Sequence, residues 1–427
     1  MLRRNFLKTA GIAGVGAMAF PNILRAQGAN ERVNFGIIGC GGMAHGNAEE
    51  FLNAGGQCVG ICEIDQARTA NMAKFLADRN NPEVPAYGDY RKLLENKDVD
   101  AVLICTPDHW HCLPTVDACS AGKDVYVEKP MANSIAECDA MTAAGKKYKR
   151  VIEIGQQQRS GEMWKAMQEF ILGGQLGRVS RVDVWGNFSY TSVRNPQPDG
   201  TPPDGVDFDM WLGPAPKRAF NPRRFHGIWR MFWDYGGGLM TDWGVHLLDM
   251  ALAGTGKTDM PVSVTASGSN YAYPDAVNET FDTMNVTYDC GDFLMTWSNS
   301  PIEIGPYWRN YGIAFQGENG TMLVNREGFE VIPFGDRTQN VKMGPTNNDR
   351  LDHFKDFVKC IKSRDLNTIC TPEMGALAAK YAHLGNIAAR TGEKLRYDDN
   401  KRRFDSSDKA NRLLKPKYRA PWKFPVV

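Results

Sequence analysis

The sequence predicts an α/β protein in two parts. An amino-terminal parallel sheet is wound with helices on both faces, and a carboxy-terminal α+β domain is built on a large, open, mostly antiparallel sheet. Three observations predict this. The strand-like run Val33-Asn34-Phe35-Gly36-Ile37-Ile38 leads straight into a glycine-rich turn and a helical pattern over residues 44–53. Apolar runs then alternate with helix-like segments as far as residue 150, the pattern of a doubly wound sheet. Beyond that point, successive segments alternate apolar and polar residues, the period of strands with one covered face. With 427 residues the chain can bury a full core and divide into two domains.

Composition narrows the classes of function. Charged residues make up 23% and hydrophobic residues 42%, ordinary for a soluble globular chain. A net charge of +1 offers no general attraction for nucleic acid or a membrane surface, which points to a small-molecule ligand. Most of the ten cysteines lie in the first third, none forms CxxC, and several sit in apolar strand or helix patterns. There a free thiol acts as a small hydrophobe, so they describe neither a disulfide framework nor a zinc site.

Residues 1–27 stand apart from the fold. Leu2-Arg3-Arg4-Asn5-Phe6-Leu7-Lys8, a weakly apolar run over 9–20, and Ala26 at the expected cut read as an export signal. The apolar run is too short to span a membrane. Paired arginines followed by Phe-Leu-Lys have the form of a twin-arginine signal, which exports folded proteins and predicts a periplasmic location. An ordinary secretory signal or a plain tail is the alternative.

The first domain is expected over 30–150. After Ile37 the chain reads Gly39-x-Gly41-Gly42-x-Ala44. This is the dinucleotide-binding spacing of a Rossmann domain: a tight turn, a close approach of backbone to pyrophosphate, and a small residue for helix packing. Gly39, Gly41, Gly42, Met43 and Ala44 are thus cofactor candidates. A second strand, 58–62, ends at Glu63, whose carboxylate suits the ribose hydroxyls of NAD and would repel the extra phosphate of NADP. Asp65 is the alternative for that role. The nearly continuous apolar run 99–105 reads as a strand buried on both faces and ends in Thr106-Pro107-Asp108-His109-Trp110-His111. Loops at the carboxyl ends of such strands line the ligand cleft, which selects Thr106, Pro107 and His111. His109 reads better as a helix-start residue bonded to backbone, and His111 stands between the two readings. A helix over 112–121 and a strand over 124–127 lead to Glu128-Lys129-Pro130, with Glu128 and Lys129 beside the expected nicotinamide site.

The second domain is expected over 151–400, with strands at 179–185, 262–267, 280–288, 294–298 and 321–325. A loop over 186–238 is too long to be idle in a compact domain. It carries Trp211, Trp229, Phe232, Trp233 and Tyr235, and Trp243 follows. Flat aromatic faces suit the C–H faces of a sugar, so Trp233, Tyr235 and Trp243 are substrate candidates; each equally suits anchoring the loop to the sheet. Asp242 and His246 are four apart and share one face of a helix, where a carboxylate can orient an imidazole as a general base. Metal binding is the rival use of that spacing, but no third ligand accompanies it, so no metal is expected. Helices are expected at 350–362 and 373–389. The polar tail 401–427 should wrap over the body or a neighbouring subunit, and the open sheet face predicts a homo-dimer or homo-tetramer.

Four segments together resemble the glucose–fructose oxidoreductase / inositol dehydrogenase (Gfo/Idh/MocA) family. They are Gly39-Cys40-Gly41-Gly42-Met43-Ala44, Thr106-Pro107-Asp108-His109-Trp110-His111, Ala121 through Glu128-Lys129-Pro130, and Gly236-Gly237-Gly238 through Asp242-Trp243-Gly244-Val245-His246 to Asp249. The resemblance implies an NAD-dependent oxidoreductase acting on a secondary hydroxyl of a sugar, polyol or glycoside. It implies that His246 removes the hydroxyl proton and that Lys129 stabilises the developing alkoxide. Asp242 would hold and tune His246 or bind a neighbouring hydroxyl. Two other classes remain. One is a glycoside-cleaving enzyme that keeps its NAD and acts through a transient 3-keto sugar; export favours it, because free NAD is not available outside the cytoplasm. The other is a non-catalytic dinucleotide or sugar binder, against which the joint presence of Lys129, Asp242 and His246 argues.

Overall fold

In the first sheet every strand is parallel, and the strand order reverses direction around its first strand. The computed structural model describes residues 32–302 and 304–427, so the expected export signal lies outside the described residues. The elements run β1 (Val33–Ile38), α1 (Gly42–Asn53), β2 (Gly56–Cys62), α2 (Gln66–Ala77), β3 (Ala86–Tyr87), α3 (Tyr90–Leu94), β4 (Ala101–Ile104), α4 (Cys112–Ser120), β5 (Asp124–Glu128), α5 (Ile135–Tyr148) and β6 (Ile152–Gly155). Their order in the sheet is β3-β2-β1-β4-β5-β6. β2 lies on one side of β1 and β4 on the other, so a crevice opens at the carboxyl end of β1, where doubly wound folds bind ligands. β4 and β5 are buried along their whole length, as continuous apolar runs require. The sheet reaches past residue 150, because Ile152 and Ile154 pair with β5 as a sixth buried strand.

The rest of the chain builds α6 (Glu162–Leu172), β7 (Val179–Asn187), α7 (Phe208–Leu212), α8 (Val245–Thr255), β8 (Ser263–Ser269), β9 (Thr283–Asp289), β10 (Leu294–Ser300), β11 (Tyr311–Gly317), β12 (Gly320–Asn325), β13 (Gly328–Pro333), β14 (Lys342–Met343), α9 (Asp349–Ser363) and α10 (Pro372–Thr391). The second sheet has the order β14-β13-β12-β11-β7-β10-β9-β8. All its pairs are antiparallel except β7 with β10. Met284, Val286 and Tyr288 of β9 alternate inward, as do Met295 and Trp297 of β10. They pack with α6, α8 and α10 in one core. α8 is buried on nearly all sides because it lies between this sheet and α10.

Two features depart from expectation, and a third, the tail, takes one of its two expected courses. β11, in the middle of the sheet, lacks the alternating pattern because all but one of its residues are buried. α9 packs on the first sheet rather than the second: Phe354 stacks on Tyr126 at 4.3 Å and on Phe51 at 5.3 Å. Burying its aromatic face over the first sheet draws this late segment back to the amino-terminal domain. The tail folds on its own body, where Trp422 meets the edge of Trp110 at 4.9 Å and Tyr418 bonds to Glu137.

Candidate active site

The glycine turn after β1 builds one wall of a cleft of about 290 Å³. Gly39 has φ +87°, and a Cβ there would come within 2.9 Å of the Thr106 main-chain nitrogen, so only glycine lets β1 and β4 end side by side. Gly41 caps α1 without a side chain, and at Gly42 a Cβ would meet nothing within 4 Å. The N–H groups at the start of α1 thus face open space, the arrangement that receives a phosphate. The Arg68 guanidinium lies beside Gly41 and adds positive charge. Ala44 is fully buried, while Met43 is 41% exposed on the cleft wall.

Glu63 lines the cleft and accepts N–H bonds from Cys40 at 2.7 Å, Ile64 at 2.8 Å and Asp65 at 3.1 Å. Burial outweighs those bonds and raises its carboxyl above the usual range. Asp65, the alternative, is already committed: it caps α2 and takes a 2.8 Å bond from His226 Nε2. Thr106 and Pro107 line the cleft, and Thr106 Oγ1 is buried with no partner. This donor set fits a dinucleotide: open N–H groups for phosphate, an acid for ribose and an unused hydroxyl beside them.

His111 is not in the cleft. Its ring nitrogens face the Pro130 and Thr106 carbonyls at 2.8 and 3.0 Å, bracing both loops from behind. Burial pushes the ring down to about 4. His109 likewise bonds to the Trp211 carbonyl.

The loop expected over 186–238 roofs the cleft. Asp207 donates its N–H to the Ile64 carbonyl and Gln66 donates to Gly205, both at 3.0 Å, and His226 reaches Asp65. Trp211, Gly227, Trp229 and Arg230 of this loop line the cleft opposite the glycine turn.

Lys129 ends the cleft. Its main-chain N–H is fixed by Glu128, which also accepts from Asn47 at 2.7 Å and Gln157 at 3.0 Å. Lys129 Nζ donates to Asp242 Oδ1 at 2.8 Å, and Asp242 also accepts from Arg230 Nε at 3.2 Å and Tyr190 Oη at 2.7 Å. Burial alone would raise the Asp242 carboxyl; the Lys129 and Arg230 charges outweigh it and hold the group well below the usual carboxylate range.

His246 and Trp243 line a second cavity, about 470 Å³, which shares Met43, Glu128, Lys129 and Asp242 with the cleft. Among these residues Asp242 does not hold the His246 ring, contrary to the expected pairing. Met240–Gly244 forms a π turn, whose wider winding breaks the four-residue stacking of an α-helix and turns Asp242 toward Lys129. His246 Nδ1 is buried without a partner. Burial, then the Lys129 and Arg326 charges, hold the ring well below the usual histidine range, so it is neutral.

Trp243 stacks on Phe188 at 4.5 Å, the Arg326 guanidinium lies over its ring at 4.5 Å, and it stays on the cavity wall. The other two aromatic candidates are elsewhere. Tyr235 is fully buried against Trp211 and His109, and Trp233 packs under Arg390 and against Phe281. Tyr235 belongs to a ten-residue apolar cluster that gives the loop a core of its own, whereas Trp233 is taken up by Phe281 and Arg390. Tyr190 and Arg230 were not foreseen; they sit in an aperiodic loop and reach Asp242 only through tertiary folding. Among the described residues no group of three or more His, Cys, Asp or Glu could hold a metal ion, and no helix is long and apolar enough to cross a membrane.

A parallel sheet with a dinucleotide cleft, opening onto a lysine, a carboxylate and a neutral histidine, defines a nicotinamide-dependent oxidoreductase. The chain belongs to the Gfo/Idh/MocA oxidoreductase family: residues 33–156 match its NAD-binding Rossmann-fold model and residues 162–424 its C-terminal alpha/beta domain. Curated relatives include glycosyl hydrolase family 109 protein 1 of Shewanella sp. (strain MR-4) and the alpha-N-acetylgalactosaminidase of Shewanella oneidensis. Each is 29% identical over 160 residues, covering 32% of this chain. The match spans only 35% of the length of those relatives. Solved structures that share the fold include the aldose-aldose oxidoreductase of Caulobacter crescentus (TM-score 0.65, 20% identity). The WlbA dehydrogenase of Bordetella pertussis, in complex with NADH and UDP-GlcNAcA, is another (TM-score 0.64, 18% identity). Both alignments cover 86% of this chain, and they cover 99% and 98% of the respective solved chains.

Proposed function

We propose that the protein oxidises a secondary hydroxyl of a sugar, polyol or glycoside held in the second cavity. The observation that carries this is the shared wall: Lys129 and Asp242 border both the dinucleotide cleft and the cavity containing His246 and Trp243. Bound NAD supplies the hydride acceptor. Lys129 donates a hydrogen bond to the reacting hydroxyl and stabilises negative charge as it develops, worth about two to three powers of ten in rate. Neutral His246 takes the hydroxyl proton, and Asp242 holds the Lys129 side chain in place. Trp243, held between Phe188 and Arg326, borders the sugar from the cavity wall.

A second reading is favoured by the loop that roofs the cleft. Its bonds to Ile64, Asp65 and Gln66 close over the end that holds ribose, which suits a nucleotide retained through many turnovers. A retained cofactor must be reduced and reoxidised within the active site. The chain would then cleave glycosides through a transient 3-keto sugar, or exchange redox state between two sugars; the glycosyl hydrolase relatives support this reading. The arginine pair and leader of residues 1–27 support export by the twin-arginine route to the periplasm, where free NAD is not available. The exposed side of the second sheet, with Leu294 and Ile332 about half exposed, supports a homo-dimer or homo-tetramer.

The test is to denature the purified protein, assay the released nucleotide, and follow absorbance of NADH with glycosides and excess NAD. Released NAD, with aglycone or ketosugar formed and no net NADH, establishes the retained-cofactor reading. Steady NADH formation without bound nucleotide establishes an ordinary dehydrogenase. Neither bound nucleotide nor turnover on any sugar or glycoside rejects both. His226→Ala should speed NAD release at least several-fold if the roof retains the cofactor.

A further inference from the structure

The second cavity carries more positive charge than the proposed chemistry uses. Six charged groups line it. Lys129 and Asp242 neutralise each other, and Glu128 is satisfied by Asn47, Gln157 and a main-chain N–H. That leaves Arg326, Arg350 and Asp349. Among the described residues neither arginine has a carboxylate partner; Arg326 only shares the Gln158 Oε1 acceptor, at 3.3 and 3.4 Å. Asp349 pairs with neither, and burial pushes its carboxyl up to about 6.

Two further features show that the arginines are built into the wall. Arg350 lies so close over Gly46 of α1 that a Cβ there would come within 2.3 Å of its Nη1. Glycine is unfavourable inside a helix, and here it makes room for the guanidinium. Gln158 is 5% exposed, and its Nε2 donor is buried with no partner while its oxygen orients Arg326. The wall therefore offers two guanidinium groups without a carboxylate partner, Arg326 lying over the Trp243 ring, and an unused amide donor within the cavity that holds His246.

We propose that this cavity takes an acidic sugar, with a carboxylate or ester oxyanion of the substrate held by Arg326 and Arg350. The proposal rests on the reading of the cavity as the sugar site. Guanidinium groups match such oxyanions geometrically and bind them through charge-assisted hydrogen bonds. Asp349, which pairs with neither arginine, is available to a hydroxyl.

The experiment compares a methyl hexuronide, the matching neutral methyl hexoside and a hexose sulfate as substrates of the NAD-loaded protein, with calorimetric binding of each. Wild type should favour one of the acidic sugars in kcat/KM by about tenfold or more, a charge-assisted hydrogen bond being worth roughly 1.5–3 kcal/mol. The hexuronide and sulfate arms identify which oxyanion is preferred. Arg350→Gln and Arg326→Gln should each lower the acidic-to-neutral ratio about tenfold through KM, and Arg350→Lys should restore part of it. A neutral sugar preferred by wild type, or a ratio unmoved by both glutamine variants, overturns the proposal while leaving the oxidation reading intact. Tight acidic-sugar binding that Arg350→Gln abolishes, without turnover of any sugar, supports the anion site and rejects the oxidation reading instead. Absence of binding and turnover for every sugar overturns both.

Discussion

Lys129 donates twice to one residue 113 positions away: to the carboxylate of Asp242 at 2.8 Å and to its main-chain carbonyl at 2.9 Å. The end of β5 is thereby joined to the π turn before α8, and the cofactor cleft to the second cavity. With side chains only 9% and 14% exposed, the pair is largely withdrawn from water. Removing Asp242 strands the Lys129 and Arg230 charges, a loss of roughly 3–5 kcal/mol for a fully buried group, whereas removing Lys129 leaves Asp242 paired with Arg230.

Lys129→Met should therefore lower kcat by about two to three powers of ten, the scale of an electrostatic stabiliser. The glycine turn and Glu63 are untouched by the change, so NAD released on denaturation should stay at the wild-type level. Loss of turnover accompanied by loss of nucleotide would assign Lys129 to cofactor binding alone. Asp242→Asn should also lower kcat, with a thermal midpoint below that of wild type because Lys129 and Arg230 lose their shared counter-charge.

The pH profile follows from the surroundings of His246. Burial first, then the charges of Lys129 and Arg326, lower its affinity for a proton, and the opposing pull of Asp242 is smaller. A lowered histidine stays neutral, and hence able to accept a proton, at pH values where an exposed imidazole is half protonated. The acid limb of kcat/KM should lie well below about 6.5, the ordinary histidine value. Arg326→Gln removes one of these repelling charges and should move that limb upward. An inflection near the ordinary value in the wild-type enzyme would remove His246 from the role of base.

The cofactor half of the site was legible because it is local. Gly39, Gly41 and Gly42 are fixed by one turn between a strand and a helix, and Glu63 by the end of the next strand. Lys129 and His246 were legible as members of short motifs. The partners of Asp242 were not: Tyr190 and Arg230 come from a loop with no period, and a four-residue spacing does not reveal a π turn. Tyr235 and Trp233 are chemically suited to a sugar, yet the loop's own core consumes Tyr235, and Phe281 and Arg390 take up Trp233. The parallel pairing of β7 with β10 was equally hidden, because alternation reports which face is covered and not which strand lies alongside.

The tail supplies a separate prediction for stability. Glu137, in the first turn of α5, exchanges bonds with Ser134 and accepts from Tyr418 Oη at 2.6 Å. It is 1% exposed, and burial raises its carboxyl from 4.5 to about 7 even though the Tyr418 and Ser134 hydroxyls favour the charged form. A carboxyl raised on folding binds its proton more tightly in the native state. Its contribution is fully present below the unfolded value and is lost as pH rises through the native one. At 1.36 kcal/mol per unit, the change is roughly 3 kcal/mol between about pH 4.5 and above about pH 7. The difference in thermal midpoint between Glu137→Gln and wild type should therefore shift in favour of the variant as pH rises across that window. Tyr418→Phe should lower stability by about 1–3 kcal/mol at high pH, where it leaves a buried carboxylate short of a donor, and by less at low pH. A midpoint difference constant across the window would mean that Glu137 is ionised, or neutral, throughout.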